Sequence, residues 1–214
     1  MTYPPSKTCM IAQKWDRKYA QTKELLYGDE PSAYLVETYT NNDPQQFERR
    51  IAFLPGDGEG RHSRFLAKRG MRVLTCDLSQ IAVSKAKLQD QIYHVPVERF
   101  VAHATRLPLP KHSIDFVAMM YLQVPPDERW AILQQIIYIL KPGGCLLVEG
   151  FHPDHVSLLH KGPGDVALTY DPEEFVSEAK PLRLKQAHVG EEDLKDGTGH
   201  QGPAFLTKML FFKD

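Results

Sequence analysis

The sequence lacks the features that define several large protein classes. It has no run of about 18 to 20 consecutive apolar residues, the length a membrane-spanning helix requires. Its opening, MTYPPSKTCMIAQKWDRK, has no apolar segment after a basic one, so a soluble, unsecreted, cytoplasmic protein is expected. Cysteine is scarce. Cys9, Cys76 and Cys145 are odd in number, far apart and without C-x-x-C spacing, which argues against a disulfide framework or a cysteine zinc site. An excess of either charge is also missing: 26 Lys and Arg face 27 Asp and Glu, a formal net charge of -1. No whole-molecule field therefore draws the chain to nucleic acid or to an anionic membrane. There is no stripe of interleaved basic and aromatic residues of the kind that lines nucleic-acid channels, and there are no internal repeats or low-complexity tracts.

What is present is enough apolar material for one buried core. Of 214 residues, 42% are hydrophobic, no linker interrupts them, and a single domain over residues 1–214 is expected. Apolar periodicity punctuated by Gly and Pro divides the chain into strands and helices. Residues 1–48 read as a helical lid: Trp15 to Tyr19 and Glu24 to Tyr27 as a polar, aromatic-bearing lead-in, Pro31 to Thr40 as a helix, and Asn41-Asn42-Asp43-Pro44 as its stop. Within residues 49–150, strands are expected at Arg50 to Leu54, Met71 to Cys76, Glu98 to His103, Ile114 to Tyr121 and Gly144 to Gly150. Helices fall at Gly60 to Lys68, Ile81 to Gln89 and Arg129 to Leu140. That alternation predicts a parallel sheet covered by helices.

Residues 151–214 break the rhythm, with a loop rich in His, Gly and Pro from Phe151 to Asp165 and a short helix at Pro172 to Glu178. Two strands follow, Leu182 to Val189 and Ala204 to Phe212, joined by the polar segment Gly190 to Pro203. Strands joined without a crossover helix pair antiparallel. The expected fold is α/β, a doubly wound and mostly parallel sheet ending in a hairpin.

The segment Pro55-Gly56-Asp57-Gly58-Glu59-Gly60-Arg61 lies between the first strand and its helix, where an open parallel sheet places its ligand crevice. Glycines there let backbone approach a ligand closely, and the helix start offers free N–H groups. Asp77 ends the second strand, where a carboxylate can accept from both hydroxyls of an adenosine ribose. N-capping of the next helix is the alternative for Asp77, and Ser79 can share that duty. The loop reads G-x-G-x-G, with Arg61 in place of a closing glycine. It therefore misses the G-x-G-x-x-G of dinucleotide binders.

With this loop, Asp77, the Asp115-Phe116-Val117 strand and Leu140-Lys141-Pro142-Gly143-Gly144 in order, the chain resembles class I S-adenosylmethionine-dependent methyltransferases. Its small tellurite-resistance-type branch is the nearest match, on Trp15-Asp16, Tyr19, Tyr27-Gly28, Gly58-Glu59-Gly60-Arg61, Glu149-Gly150-Phe151 and His200-Gln201-Gly202. The resemblance implies seven strands in the order 3-2-1-4-5-7-6, the last antiparallel, with helices on both faces. It also implies S-adenosylmethionine as cofactor. Gly56, Asp57, Gly58 and Gly60 would pass its methionine and ribose, and Asp77 would hold the ribose hydroxyls. Leu78 and the pair Ala104-Thr105 would form the two rims of an adenine slot, although Leu78 can equally belong to the core. Tyr19 and Tyr27 match positions that cover the methionine end, unless they pack on the sheet as ordinary helix-face aromatics. Three departures stand out. Leu54 replaces a loop-organising acid, with Asp57 and Glu59 as nearby substitutes; His103 replaces an Asp that contacts adenine; and Tyr121-Leu122-Gln123 stands where relatives often have His.

A methyl transfer from a sulfonium is an in-line displacement that mainly needs alignment and the exclusion of water. No catalytic dyad is visible, and a thiol or chalcogen anion is the acceptor that needs no base. The acceptor pocket is expected among the lid aromatics, Tyr121 and His200. A buried, hydrogen-bonded hairpin histidine is the other reading of His200. Arg61 either pairs with an anionic group of cofactor or acceptor or faces solvent. His152, His155 and His160 lie in a Pro/Gly loop at spacings that do not indicate a metal. The expected partner is a small-molecule methyl acceptor, with neither nucleic acid nor membrane. Two other functions compete: a non-catalytic S-adenosylmethionine-binding module with a degenerate site, and a nicotinamide oxidoreductase on the same sheet.

Overall fold

In the computed structural model the described residues are 7–41, 50–158 and 162–214. The chain opens with α1 (Lys7–Tyr19) and α2 (Ala33–Asn41), then alternates β1 (Ile51–Pro55), α3 (Arg61–Ala67), β2 (Arg72–Asp77), α4 (Gln80–Tyr93), β3 (Val97–Val101), β4 (Ile114–Met120), α5 (Pro126–Ile139) and β5 (Leu140–Phe151). Short 3-10 turns at Pro153–Leu158 and Val166–Leu168 lead to α6 (Pro172–Glu178) and the hairpin β6 (Arg183–Asp196) and β7 (His200–Phe212). The seven strands form one sheet in the order β3-β2-β1-β4-β5-β7-β6. The strands β1 to β5 run parallel, whereas β7 is antiparallel to both β5 and β6. Both topology and hairpin agree with the expected fold.

The central strands read as unbroken apolar runs because both faces are covered. On one face Phe53, Val117 and Leu146 pack under Ile132, Leu133 and Ile136 of α5 and Phe175 of α6. On the other, Leu54, Phe116 and Leu147 pack under Leu35 of α2 and Leu66 of α3. Leu54, in the slot of the missing acid, is 1% exposed and belongs to this second cluster. The crossover helices thus put all the βα loops at the carboxyl edge of the sheet, where β1 and β4 diverge.

Several boundaries differ from expectation. Glu24 to Tyr27 is not helical but a chain of turns. Its backbone is satisfied by side chains from afar: Glu59 accepts the Leu26 N–H at 2.7 Å, and Lys85 Nζ donates to the carbonyls of Thr22 and Glu24. With those partners supplied, no helical ladder is required. The polar segment from Gly190 to Pro203 is not a loop either. It continues both strands as a two-stranded ribbon that turns at residues 197–199. One side of the ribbon faces solvent, while Leu194, Asp196, His200 and Ala204 on the other pack against the lid and core, so alternate polar residues suit it. The turn needs Gly197, at φ +56, because a Cβ there would lie 2.4 Å from the Gly28 nitrogen. In addition, α4 runs on to Tyr93, and β5 starts at Leu140 with a register shift before Cys145. Residues 42–44 of the expected helix stop, and His160, lie outside the described residues. Among the described residues no helix is long and apolar enough to cross a membrane.

Candidate cofactor and acceptor site

The strand β1 ends against β2, and Gly56 N–H donates to the Cys76 carbonyl at 2.7 Å, so the glycine loop begins as an extension of the sheet. It then turns over the end of β2. Asp77 Oδ2 accepts from Gly58 N–H at 2.9 Å, and Oδ1 accepts from Ser79 N–H at 2.8 Å. The N-cap of α4 is Ser79, whose hydroxyl accepts the Ala82 N–H. Capping and loop-holding are thus divided between the two residues, and the Asp77 carboxylate sits at the crevice. Burial pushes its pKa up to about 6 against the pull of those two N–H groups. Gly58 has φ +58, and a Cβ on it would lie 2.5 Å from the Tyr19 hydroxyl. Only glycine fits between that ring and the loop.

Asp57 faces into the protein. Its Oδ2 accepts from Ser63 Oγ at 2.5 Å and from Arg99 Nη1 at 2.7 Å. Arg99 is itself gripped by both oxygens of Asp90, at 2.6 and 2.9 Å. Glu59, also buried, joins the Leu26 N–H to Lys85 Nζ, 2.8 Å away. The loop carboxylates therefore do the organising that an acid at residue 54 would do. Asp57 Oδ1 is left buried without a hydrogen-bond partner among the described residues.

Two chambers meet over this loop. The first, of about 540 Å³, is walled by Ile11, Trp15, Leu78, Ala104, Leu122 and Val124, with Asp77 and His103 at its edge. The second, of about 440 Å³, is lined by Gly58, Gly60, Arg61, Tyr27, Tyr121 and His200, with Asp57, His62 and Met120 among its other walls. Tyr19 and Gly56 border both.

Most of the residues expected at the site do converge on it. Leu78 lines the first chamber and is absent from the core clusters. Tyr19 and Tyr27 meet edge to face at 6.1 Å, between chamber and lid. Thr105 is the correction. The chain bends after β3 so that its N–H and hydroxyl turn to His103 Nδ1, at 3.3 and 2.9 Å, and it lines a separate outer cleft with Arg106 and Glu128. Arg61 neither faces solvent nor stands free. Its guanidinium pairs with Asp196 at 2.8 Å and donates to the carbonyls of Tyr27 and Glu30.

His200 lies 4.4 Å from the Tyr27 ring and 5.1 Å from the rings of Tyr121 and Phe151, centroid to centroid. It is buried as one reading foresaw, but neither ring nitrogen has a hydrogen-bond partner among the described residues. Burial and the nearby Arg61 and Lys18 push its pKa down to about 3, so it is a neutral imidazole in ordinary buffers. Among the described residues no three His, Cys, Asp or Glu side chains gather as a metal site.

Sequence reasoning missed three contributors. Arg99 lies far along the chain from Asp57, and its only local signal is a charge beside Glu98 in a strand otherwise made of Val and Phe. Ile11 belongs to a helix that begins earlier than its pattern indicates. Glu149 is a buried acid at the end of β5 whose partners, Tyr121 and Ser32, come from elsewhere in the sequence.

Residues 55–144, the stretch from the glycine loop to the bend before Cys145, match the methyltransferase domain family. That stretch is similar to a methyltransferase domain, and the chain is similar over most of its length to two named methyltransferases. It is 30% identical over 183 residues to the tRNA 5-carboxymethoxyuridine methyltransferase of Escherichia coli K12, covering 82% of this chain and 65% of that one. It is 26% identical over 169 residues to the ubiquinone/menaquinone biosynthesis C-methyltransferase UbiE of Serratia proteamaculans, covering 73% of this chain and 64% of the relative. The chain thus spans just under two thirds of the length of both relatives. The solved structure of TehB from Haemophilus influenzae superposes with a TM-score of 0.69 at 15% identity, over 95% of this chain and 67% of that one. This methyltransferase fold ends in the antiparallel hairpin, which here brings His200 into the wall of the second chamber and Asp196 against Arg61.

The residues present fit the family's cofactor. The slot is apolar where an adenine would lie, and the Asp77 carboxylate has lone pairs left beyond its two N–H contacts.

Proposed function

We propose that this chain transfers a methyl group from S-adenosylmethionine to a small-molecule acceptor, a thiol or chalcogen anion, held in the second chamber. The observation that carries this reading is the pair of chambers that meet at Gly56 and Tyr19, with the Asp77 carboxylate at the edge of the first. When bound, S-adenosylmethionine supplies an electrophilic methyl on a cationic sulfur.

The chain's part is to bind, orient and exclude water. Leu78 and Ala104 hold the adenine between apolar walls, and Asp77 accepts from the ribose hydroxyls. The faces of Tyr19 and Tyr27 attract the sulfonium, each such contact being worth about 0.5 to 2 kcal/mol. Orientation of this kind lowers a bimolecular barrier by about 7 to 11 kcal/mol when the reacting atoms are held in line.

A small acceptor is favoured by the modest size of the second chamber. A soft, sulfur-type nucleophile is favoured by its Met120, Tyr27, Tyr121 and His200 lining. The charged guanidinium within reach, Arg61, is already paired with Asp196, which disfavours a strongly anionic acceptor. The E. coli relative is named for a tRNA substrate; the net charge of -1 and the small chamber speak against that acceptor here.

The test is to incubate the protein with methyl-labelled donor and, in separate arms, fractionated small metabolites, a thiol panel and bulk tRNA. Label is expected in the small-molecule and thiol arms. Label in tRNA alone would overturn the acceptor assignment. Tight cofactor binding without release of S-adenosylhomocysteine in any arm would make the chain a binding module.

A further inference from the structure

Glu149 has no task in holding the cofactor, yet it is the carboxylate behind the acceptor wall. It ends β5 at 1% exposure. It accepts from the Tyr121 hydroxyl at 3.1 Å and from the Ser32 hydroxyl. The same two residues are joined a second time through their backbones, where Tyr121 N–H donates to the Glu149 carbonyl at 2.7 Å. Tyr121 pays for this in conformation, since at φ +52 it lies in the left-handed region that residues other than glycine avoid. The strained backbone turns its ring into the second chamber, against His200 and Phe151.

We propose that Tyr121 and Glu149 form a proton relay for the acceptor, so that the chain takes up a neutral thiol and not only a preformed chalcogen anion. The inference rests on the acceptor lying in the second chamber. In the step, the sulfur–hydrogen bond of the thiol breaks as its sulfur forms a bond to the methyl carbon. The carbon–sulfur bond of the donor breaks, its electron pair returning to the donor sulfur. The thiol proton passes to Tyr121 Oη while the Tyr121 proton passes to Glu149. No other reactant is needed. Tyr121 would touch the acceptor, and Glu149 acts through it.

The cations facing Glu149 favour the ionised form that accepts a proton, and burial favours the protonated form. From β7, Lys208 Nζ stands 3.9 Å away, but it is bound to Glu192 of β6. Ser32 and Tyr34 approach from the α2 side, Arg61 from α3 and Tyr121 from β4. Burial outweighs Lys208, Arg61 and the hydroxyls and holds the Glu149 pKa above its ordinary value. A carboxylate raised in this way takes a proton more readily than one in water.

The experiment compares wild type with Tyr121→Phe, Glu149→Gln and Glu149→Asp, using 2-mercaptoethanol, mostly protonated at neutral pH, and 4-nitrothiophenol, already ionised. With 2-mercaptoethanol, Tyr121→Phe and Glu149→Gln are expected to lose about 100-fold in kcat near pH 6. The rate should recover as pH rises and the thiol ionises in bulk. The loss should be smaller with 4-nitrothiophenol, and Glu149→Asp should regain part of the low-pH rate. Dissociation constants for the cofactor should stay close to wild type.

In the free protein, an infrared protonated-carboxyl band absent from Glu149→Gln should appear above the ordinary carboxyl titration range. A pH-independent loss, no loss, or a Glu149 that stays ionised to acid unfolding overturns the relay and leaves the methyltransferase reading intact. Wild type that binds the cofactor but methylates neither thiol overturns both. Tyr121→Phe keeps the ring packing, so the comparison stays readable if Glu149→Gln does not fold.

Discussion

The guanidinium of Arg99, on β3, meets the carboxylate of Asp57, in the glycine loop, at 2.7 Å with each side chain 1% exposed. It holds the cofactor loop from a strand two places away across the sheet, where an acid at residue 54 would have held it from β1. Ser63 Oγ and Asp90 complete the network, so the loop is tied at once to α3 and α4. Arg99→Ala leaves Asp57 and Asp90 as buried charges without their partner, a change that costs about 3 to 5 kcal/mol. Urea unfolding should show that loss together with weakened cofactor binding. A stable variant with unchanged affinity would mean the network is dispensable.

The titration of Asp77 gives a pH dependence with a definite sign. Its folded pKa of about 6 lies above the 3.8 of an ordinary Asp, so between those values the folded chain keeps a proton that the unfolded chain has released. Its contribution to stability is therefore full below about pH 4 and lost as pH rises through about 6. Ribose hydroxyls donate to the ionised form, so S-adenosylhomocysteine should bind about tenfold more tightly near pH 7 than near pH 5. Calorimetry in Asp77→Asn should show a flat profile and a weaker constant. A pH profile equal to wild type would move the ribose elsewhere.

His200 acts in the opposite direction. Its folded pKa of about 3 lies below the 6.5 of a free imidazole, so the unfolded chain binds the extra proton between those values. Stability contributed by the neutral ring is present above about pH 6.5 and falls as pH is lowered. The fall should reach about 2 kcal/mol near pH 5. Denaturant midpoints of wild type and His200→Phe should therefore converge as pH drops, and parallel curves would contradict the burial of a neutral ring.

Lys85 is the pin of the lid, its ammonium donating to Thr22, Glu24 and Glu59. Lys85→Met should leave those acceptors unpaired at a cost of about 1 to 3 kcal/mol. Faster proteolysis between residues 20 and 30 and quicker release of bound cofactor are expected, because the same turns carry Tyr27 over the second chamber. If proteolysis and cofactor release match wild type, the lid is held by its aromatic packing instead.

Gly58→Ala should remove cofactor binding with little effect elsewhere. The new Cβ meets the Tyr19 hydroxyl at 2.5 Å on a backbone at φ +58, and Tyr19 borders both chambers. Retained affinity by calorimetry would show that Tyr19 can give way.

The strand and helix alternation, the loop Gly56–Gly60, Asp77 and the C-terminal hairpin were all legible along the chain. Each is encoded by residues near one another in sequence: apolar runs, the glycines of one turn, a carboxylate at a strand end. The lid turns at Glu24 to Tyr27 and the ribbon at Gly190 to Pro203 were not, because their hydrogen bonds are decided by partners elsewhere. Polar composition alone reads the same in a loop and in a wet ribbon.

By itself, then, the order of residues determined the sheet and the edge where its loops gather, since periodicity and turn chemistry are local properties, while the cofactor was implied by the resemblance that the motifs carry. Only the tertiary structure decided how charges are paired across that edge: Asp57 with Arg99, Arg61 with Asp196, Glu149 with Tyr121. Each pair joins residues from different elements. Burial in a common interior, where an unpartnered charge is costly, is what forces them together.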